Sequence, residues 1–204
     1  MSSRFLFLLF FLSFYNAAFS QTSKLQTVKK EAEAKTDQNN FVEILWLDKK
    51  GVLQINEDYI KTITNAQRAA LGYITTNIGN DCYWDGEKKA DESNLKCKFL
   101  SALNLGYQCS ETHLSFLRQW FKKDPEVLKN LETCTKTASS DKIQDRFVGL
   151  RMSTTNNTIK IVYGAMGMDT ETQKRWRWIE ESIYSFTEKE IKQIKRKNLQ
   201  GGFF

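Results

Sequence analysis

The stretch GNDCYWDGEKK, Gly79 to Lys89, gathers Asp81, Asp85 and Glu87 around Tyr83 and Trp84. Acids so clustered suit two kinds of chemistry. A pair of carboxylates facing each other across a cleft hydrolyses a glycosidic bond, and a ring such as Trp84 can stack on the sugar. Carboxylate oxygens also collect calcium, but the spacing here does not fit the 12-residue loop with its closing glutamate. A glycosidase would need a second acid from elsewhere, Glu180 or Glu181. Acids beside lysines in a loop are ordinarily a solvated rim, and that reading outweighs both. The loop is then one that Cys82 ties down, with Trp84 as a candidate binding residue.

Other chemistry is limited by what the chain has to offer. His113 is its one histidine, so any Ser–His–Asp or Cys–His machine must use it. It stands three residues after Ser110, in the first turn of an expected helix, where it can simply reach back to the helix start. Cys82, Cys97, Cys109 and Cys134 are spaced too widely for a zinc site. There is no Gly-x-Ser-x-Gly elbow and no glycine-rich phosphate loop. No metal and no cofactor is expected, and the balance favours a protein that does no covalent chemistry.

Arg175-Trp176-Arg177-Trp178 has the best claim to a binding role. On a strand the tryptophans share one face and the arginines the other. The tryptophan face can pack on the rest of the fold while the guanidiniums meet an anionic partner. Alternatively the rings are themselves an exposed anchor, since Trp and Arg are favoured at interface hot spots. The competing reading, core tryptophans and merely solvated arginines, weighs about the same.

The compartment follows from the N-terminus. Residues 1–20, MSSRFLFLLFFLSFYNAAFS, show a short basic start, an apolar run and small residues before Gln21, the form of a cleaved signal peptide. Secretion or export to a periplasm is expected, with no membrane span once the signal is removed. Four cysteines in an exported chain argue for two disulfides. The net charge of +6 over the whole chain is mild. It suits an anionic glycan or acidic protein outside the cytoplasm and is too diffuse to argue nucleic acid. The sequence sets no oligomeric state.

Residues 21–40 are polar and charged, and read as a flexible leader. A single domain is expected over 41–198, with a disordered tail at 199–204. Within it, Phe41 to Asn56 reads as two short strands about the turn Asp48-Lys49-Lys50-Gly51. Thr64 and Gln67 have capping-box spacing for a helix to about Asn77. Further helices are expected over Ser93 to Leu105, from Ser110, and from the Asp124-Pro125 start. If these helices pair antiparallel, Cys82 meets Cys97 and Cys109 meets Cys134.

Past Cys134 the texture changes to strands, at Phe147 to Met152 and Ile159 to Tyr163. Gly164 to Gly167 reads as a strand end with a bulge, and Asn156-Asn157-Thr158 fits a glycosylation acceptor. Lys174 to Phe186 fits either strand or helix, with strand preferred. Thr187 and Glu190 suggest the capping box of a last, basic helix. The expected fold is α+β: a helical layer stapled by two disulfides, an antiparallel meander and a short C-terminal helix. The function expected is an exported module that binds a protein or cell-envelope glycan. The alternative is a small secreted hydrolase acting on glycans.

Overall fold

The computed structural model describes residues 40–76, 95–134 and 143–203. The signal and leader readings lie outside them, as do Cys82, Trp84 and the carboxylates of the opening stretch. Val42 to Phe204 form one compact unit. Its order is β1 (Val42–Leu47), β2 (Leu53–Ile55), α1 (Glu57–Ile60), α2 (Asn65–Thr76), α3 (Leu95–Ala102), α4 (Glu111–Trp120), α5 (Pro125–Glu132), β3 (Ile143–Thr155), β4 (Thr158–Asp169), β5 (Arg175–Phe186) and β6 (Ile191–Phe203). The strands form one sheet in the order β2-β1-β3-β4-β5-β6, with every pairing antiparallel.

Local chemistry places the first elements. Asp48 closes the β1–β2 turn by accepting from the N–H groups of Lys50 and Val52 at 2.8 and 2.9 Å. Gly51 supplies the positive φ, +74°, that this turn requires. The capping box forms: the Thr64 N–H donates to Gln67 Oε1 at 2.8 Å, and the Gln67 N–H donates to Thr64 Oγ1 at 3.3 Å. Gln67 also donates to Thr154 Oγ1 on β3 at 2.9 Å, pinning the helix start to the sheet.

The described helices pack on one face of the sheet. Ile159, Ile161, Tyr163 and Ala165 of β4 are all buried, as are Leu150 and Met152 of β3. Against them lie Ala70 and Ile74 of α2, Phe99 and Leu100 of α3, Leu117 of α4 and Val127 of α5. Edge-on ring pairs join the layers, Phe99 with Phe147 at 6.4 Å and Phe121 with Tyr184 at 6.1 Å. Fully burying each large side chain contributes about 1.5–3 kcal/mol, so this interface dominates the stability.

The Cys109–Cys134 disulfide is present and joins the residue before the α4 cap to the end of α5. Cys97 is also disulfide-bonded, but the partner expected for it, Cys82, lies outside the described residues. One staple is thus defined where two were expected.

The expected C-terminal helix is not there; Ile191–Phe203 is a strand. Thr187 does not cap a helix. Its N–H donates to the Glu190 carbonyl at 2.8 Å, closing a tight β5–β6 hairpin. The expected tail at 199–204 lies largely within β6, whose last residue is Phe203. The register steps over one extra β6 residue at Ile194 and again at Leu199. Positions on the helix side of the sheet therefore run 191, 193, 196, 198, 201, 203, which breaks strand alternation, while Ile191 and the exposed Ile194, three residues apart, imitate a helical stripe. These irregularities, with Lys192, Lys195 and Lys197, also blunt β6 as an edge against stray pairing. Gly164 to Gly167 is likewise no strand end, since β4 runs to Asp169; the irregularity sits opposite, at Val148 of β3.

Asp124 ties β6 to the helices. Its Oδ1 accepts from the Val127 N–H at 3.1 Å as the α5 cap, and its Oδ2 accepts from the Gln193 N–H at 2.8 Å. The side chain is 97% buried. Asp124→Ala is expected to cost about 2 kcal/mol, an ordinary cap plus the orphaned strand donor. Urea unfolding measures it, and a loss under about 1 kcal/mol would mean water replaces the strand contact.

Candidate binding face of the sheet

Strand alternation on β5 separates Arg175 and Arg177 from Trp176 and Trp178. Both tryptophans turn toward the helix side. Trp178 meets Tyr163 edge-on at 5.4 Å. The Trp176 ring lies on Gly167, its register partner, where any Cβ would fall 2.3 Å from the ring. The indoles are half-buried packing groups, while both arginines are exposed on the opposite face. Trp84 lies outside the described residues.

On the helix side β5 also carries Glu180, which is buried. Its carboxylate is gripped by the Arg196 guanidinium, whose Nη2 lies 3.1 Å from Oε2, and it accepts from the Tyr163 hydroxyl. Burial, then the hydrogen bond to Glu180, pushes the Tyr163 hydroxyl far above its ordinary range. The hydrogen bond to Glu180 likewise raises Arg196. Glu181 points to the other face, 3.3 Å from Lys160 Nζ and 3.7 Å from Lys195 Nζ. The two acids considered as hydrolase partners are thus back to back and each engaged by cations.

His113 is fully buried. Its Nδ1 accepts from the Cys109 N–H at 3.1 Å, which leaves Nε2–H to donate to the Gly72 carbonyl at 3.2 Å. It joins α2, α4 and the disulfide, and does reach back to the helix start. Burial pulls its pKa down to about 4, so it is neutral at pH 7. Among the described residues no group of three or more metal-ligating side chains converges, and no helix is long and apolar enough to cross a membrane.

The face away from the described helices holds a different arrangement. Gly149, Gly164 and Ile179 are register partners across β3, β4 and β5. Two of the three have no side chain, so the sheet dips along that row. A trough of about 240 Å³ results, walled by Val148, Val162 and Ile179 and rimmed by Glu43, Arg151 and Arg177. Arg151 pairs in register with Glu43 of β1, and Arg177 with Met166 of β4. Trp46, 38% exposed, stands on the same face of β1 by alternation from Leu45.

Arg175, Lys192, Lys195 and Lys197 extend this basic face, against Glu43 and Glu181. Sequence reasoning found Arg175 and Arg177 but missed Glu43, Trp46, Arg151 and the two glycines. The register steps at Ile44 and Val148 break the alternation that would have grouped them.

The chain is an α+β protein: a six-stranded antiparallel sheet layered with helices on one face and presenting a troughed, basic opposite face. No family model, curated protein or solved structure matches it.

Proposed function

We propose that this protein is an exported binding module that engages a protein or cell-envelope glycan, without covalent chemistry, through the basic face of its sheet. The observation that carries this reading is the placement of Arg177 at the rim of a trough in that face, with Arg175 beyond it. The disulfide supports an oxidising compartment outside the cytoplasm. The roles divide within the Arg-Trp stretch. The arginines are the contact residues and the tryptophans hold the strand that presents them. A glycan hydrolase draws no support from Glu180 and Glu181, which are committed to cations on opposite faces.

The test is a pull-down from the native envelope, comparing wild type with Arg175→Ala/Arg177→Ala. Recovery of the principal partner is expected to fall at least tenfold in the variant. It is also expected to fall in the wild type as salt rises from 50 to 500 mM, since exposed charges are screened. Equal recovery of every partner by both proteins would remove the arginine face from the argument.

A further inference from the structure

We propose that the trough between Glu43, Arg151 and Arg177 is a subsite for a carboxylated sugar, one uronic acid unit of an acidic glycan. This rests on the binding face proposed above and names its ligand class. Arg177 is exposed and has no ion-pair partner among the described residues, whereas the acids of the same strand are both engaged. A guanidinium carried on a paired strand offers a planar fork that takes one carboxylate through two N–H donors.

The rim is mixed in sign, and that narrows the ligand. Glu43 stands at the end away from Arg177 and would repel a second carboxylate on the unit that occupies the trough. Sugar hydroxyls donate to a carboxylate, so a ligand with an acid at one end and hydroxyls at the other satisfies both ends. An acidic peptide would use Arg177 and leave Glu43 unmatched. The floor of Gly149 and Gly164, between Val148 and Ile179, suits the flat C–H face of a sugar ring. Trp46, on the same face, offers an indole for a neighbouring ring of the glycan.

Titration calorimetry of the oxidised protein at 50 mM salt tests the assignment with three probes: trigalacturonic acid, the uncharged maltotriose and a tetraglutamate peptide. Trigalacturonic acid is expected to bind at least tenfold more tightly than either other probe. Arg177→Gln is expected to weaken it tenfold or more, the loss of one charge-assisted pair. Gly164→Ala, whose added Cβ would meet Val148 Cγ2 at 3.1 Å, raises the trough floor and is expected to weaken binding several-fold. Thermal melts within a few degrees of wild type show that both variants fold.

The assignment is overturned if trigalacturonic acid does not bind, if tetraglutamate or maltotriose binds as tightly, or if Arg177→Gln stays within twofold of wild type. Should the envelope pull-down still depend on Arg175 and Arg177 while trigalacturonic acid fails, the sugar assignment falls and the basic face stands. If neither depends on them, both fall.

Discussion

Replacing Cys109 and Cys134 together by alanine is expected to lower stability by about 3 kcal/mol in the chain-entropy account of disulfides, and the melting temperature by about 10 °C. The bond closes a span of 25 residues that contains all of α4 and α5. Without it the unfolded chain regains the freedom of that loop, while the folded chain must hold both helices on the sheet by packing alone. The local backbone adds to the effect. Cys109 sits at φ +58°, a region that costs a non-glycine residue energy and persists where its surroundings hold it. Its N–H is the donor received by His113, so release of the sulfur loosens the α2–α4 junction as well. Calorimetry of the double variant against the oxidised wild type checks the value. A change under about 1 kcal/mol would show that packing of Leu117, Phe121, Val127 and Leu131 already fixes this helical pair.

Much of this architecture is legible in the chain because it rests on short-range chemistry. Asp124-Pro125, Thr64 with Gln67, and Asp48 with Gly51 each place a hydrogen-bond acceptor or a permissive backbone within a few residues of the group that needs it. The strand at Lys174 to Phe186 is legible through alternation and through its strong neighbour β4. The β6 strand is not, because two extra residues shift its parity and leave Ile191 and Ile194 at helical spacing. Its identity is decided by long-range partners instead: β5 along its length and Asp124 at Gln193.

The same contrast governs the candidate binding face. Arg175 and Arg177 belong together on one strand and can be read directly. The trough exists only where Gly149 meets Gly164 and Ile179 in register, and no property of one segment contains that fact. Register steps at Ile44 and Val148 then decide that Glu43 and Val148 line the trough and that Trp46 stands on the same face. The tryptophans mislead in the opposite sense. Their type suggests an exposed anchor, but Gly167 and Tyr163 supply surfaces for them to pack on. A ring finding a glycine opposite it in a sheet buries itself there.

Between pH 7 and pH 4 the protein is expected to lose about 3 kcal/mol of stability through His113 alone. Three contacts fix the ring in place. The Cys109 N–H donates to Nδ1, which must therefore carry no proton; Nε2 faces the Gly72 carbonyl; and Thr76 Oγ1 lies 3.3 Å away. Burial is the main force pulling the pKa from 6.5 to about 4, and Lys96 nearby acts in the same direction, while the Gly72 carbonyl opposes them. In the unfolded chain the imidazole takes up its proton near pH 6.5, while in the folded chain it resists protonation until about pH 4. Over that window the unfolded state binds the extra proton, so stability is intact above pH 6.5, falls as pH drops, and levels off below pH 4. His113→Gln isolates the contribution, because glutamine can still donate to the Gly72 carbonyl but does not titrate. At pH 7 the variant is expected to be less stable by about 1–3 kcal/mol, the cost of an unreceived Cys109 N–H. As pH falls to 4 the gap to wild type should close by about 3 kcal/mol, since only the wild type carries the titrating ring. Urea unfolding of both proteins at pH 7, 5.5 and 4 measures that gap. A gap that stayed constant across the three pH values would show that the ring takes up its proton in the fold near pH 6.5, as it does in the unfolded chain. At pH 5.5 and 4 the α2–α4 junction would then be held by an imidazolium, and the Cys109 N–H would need another acceptor.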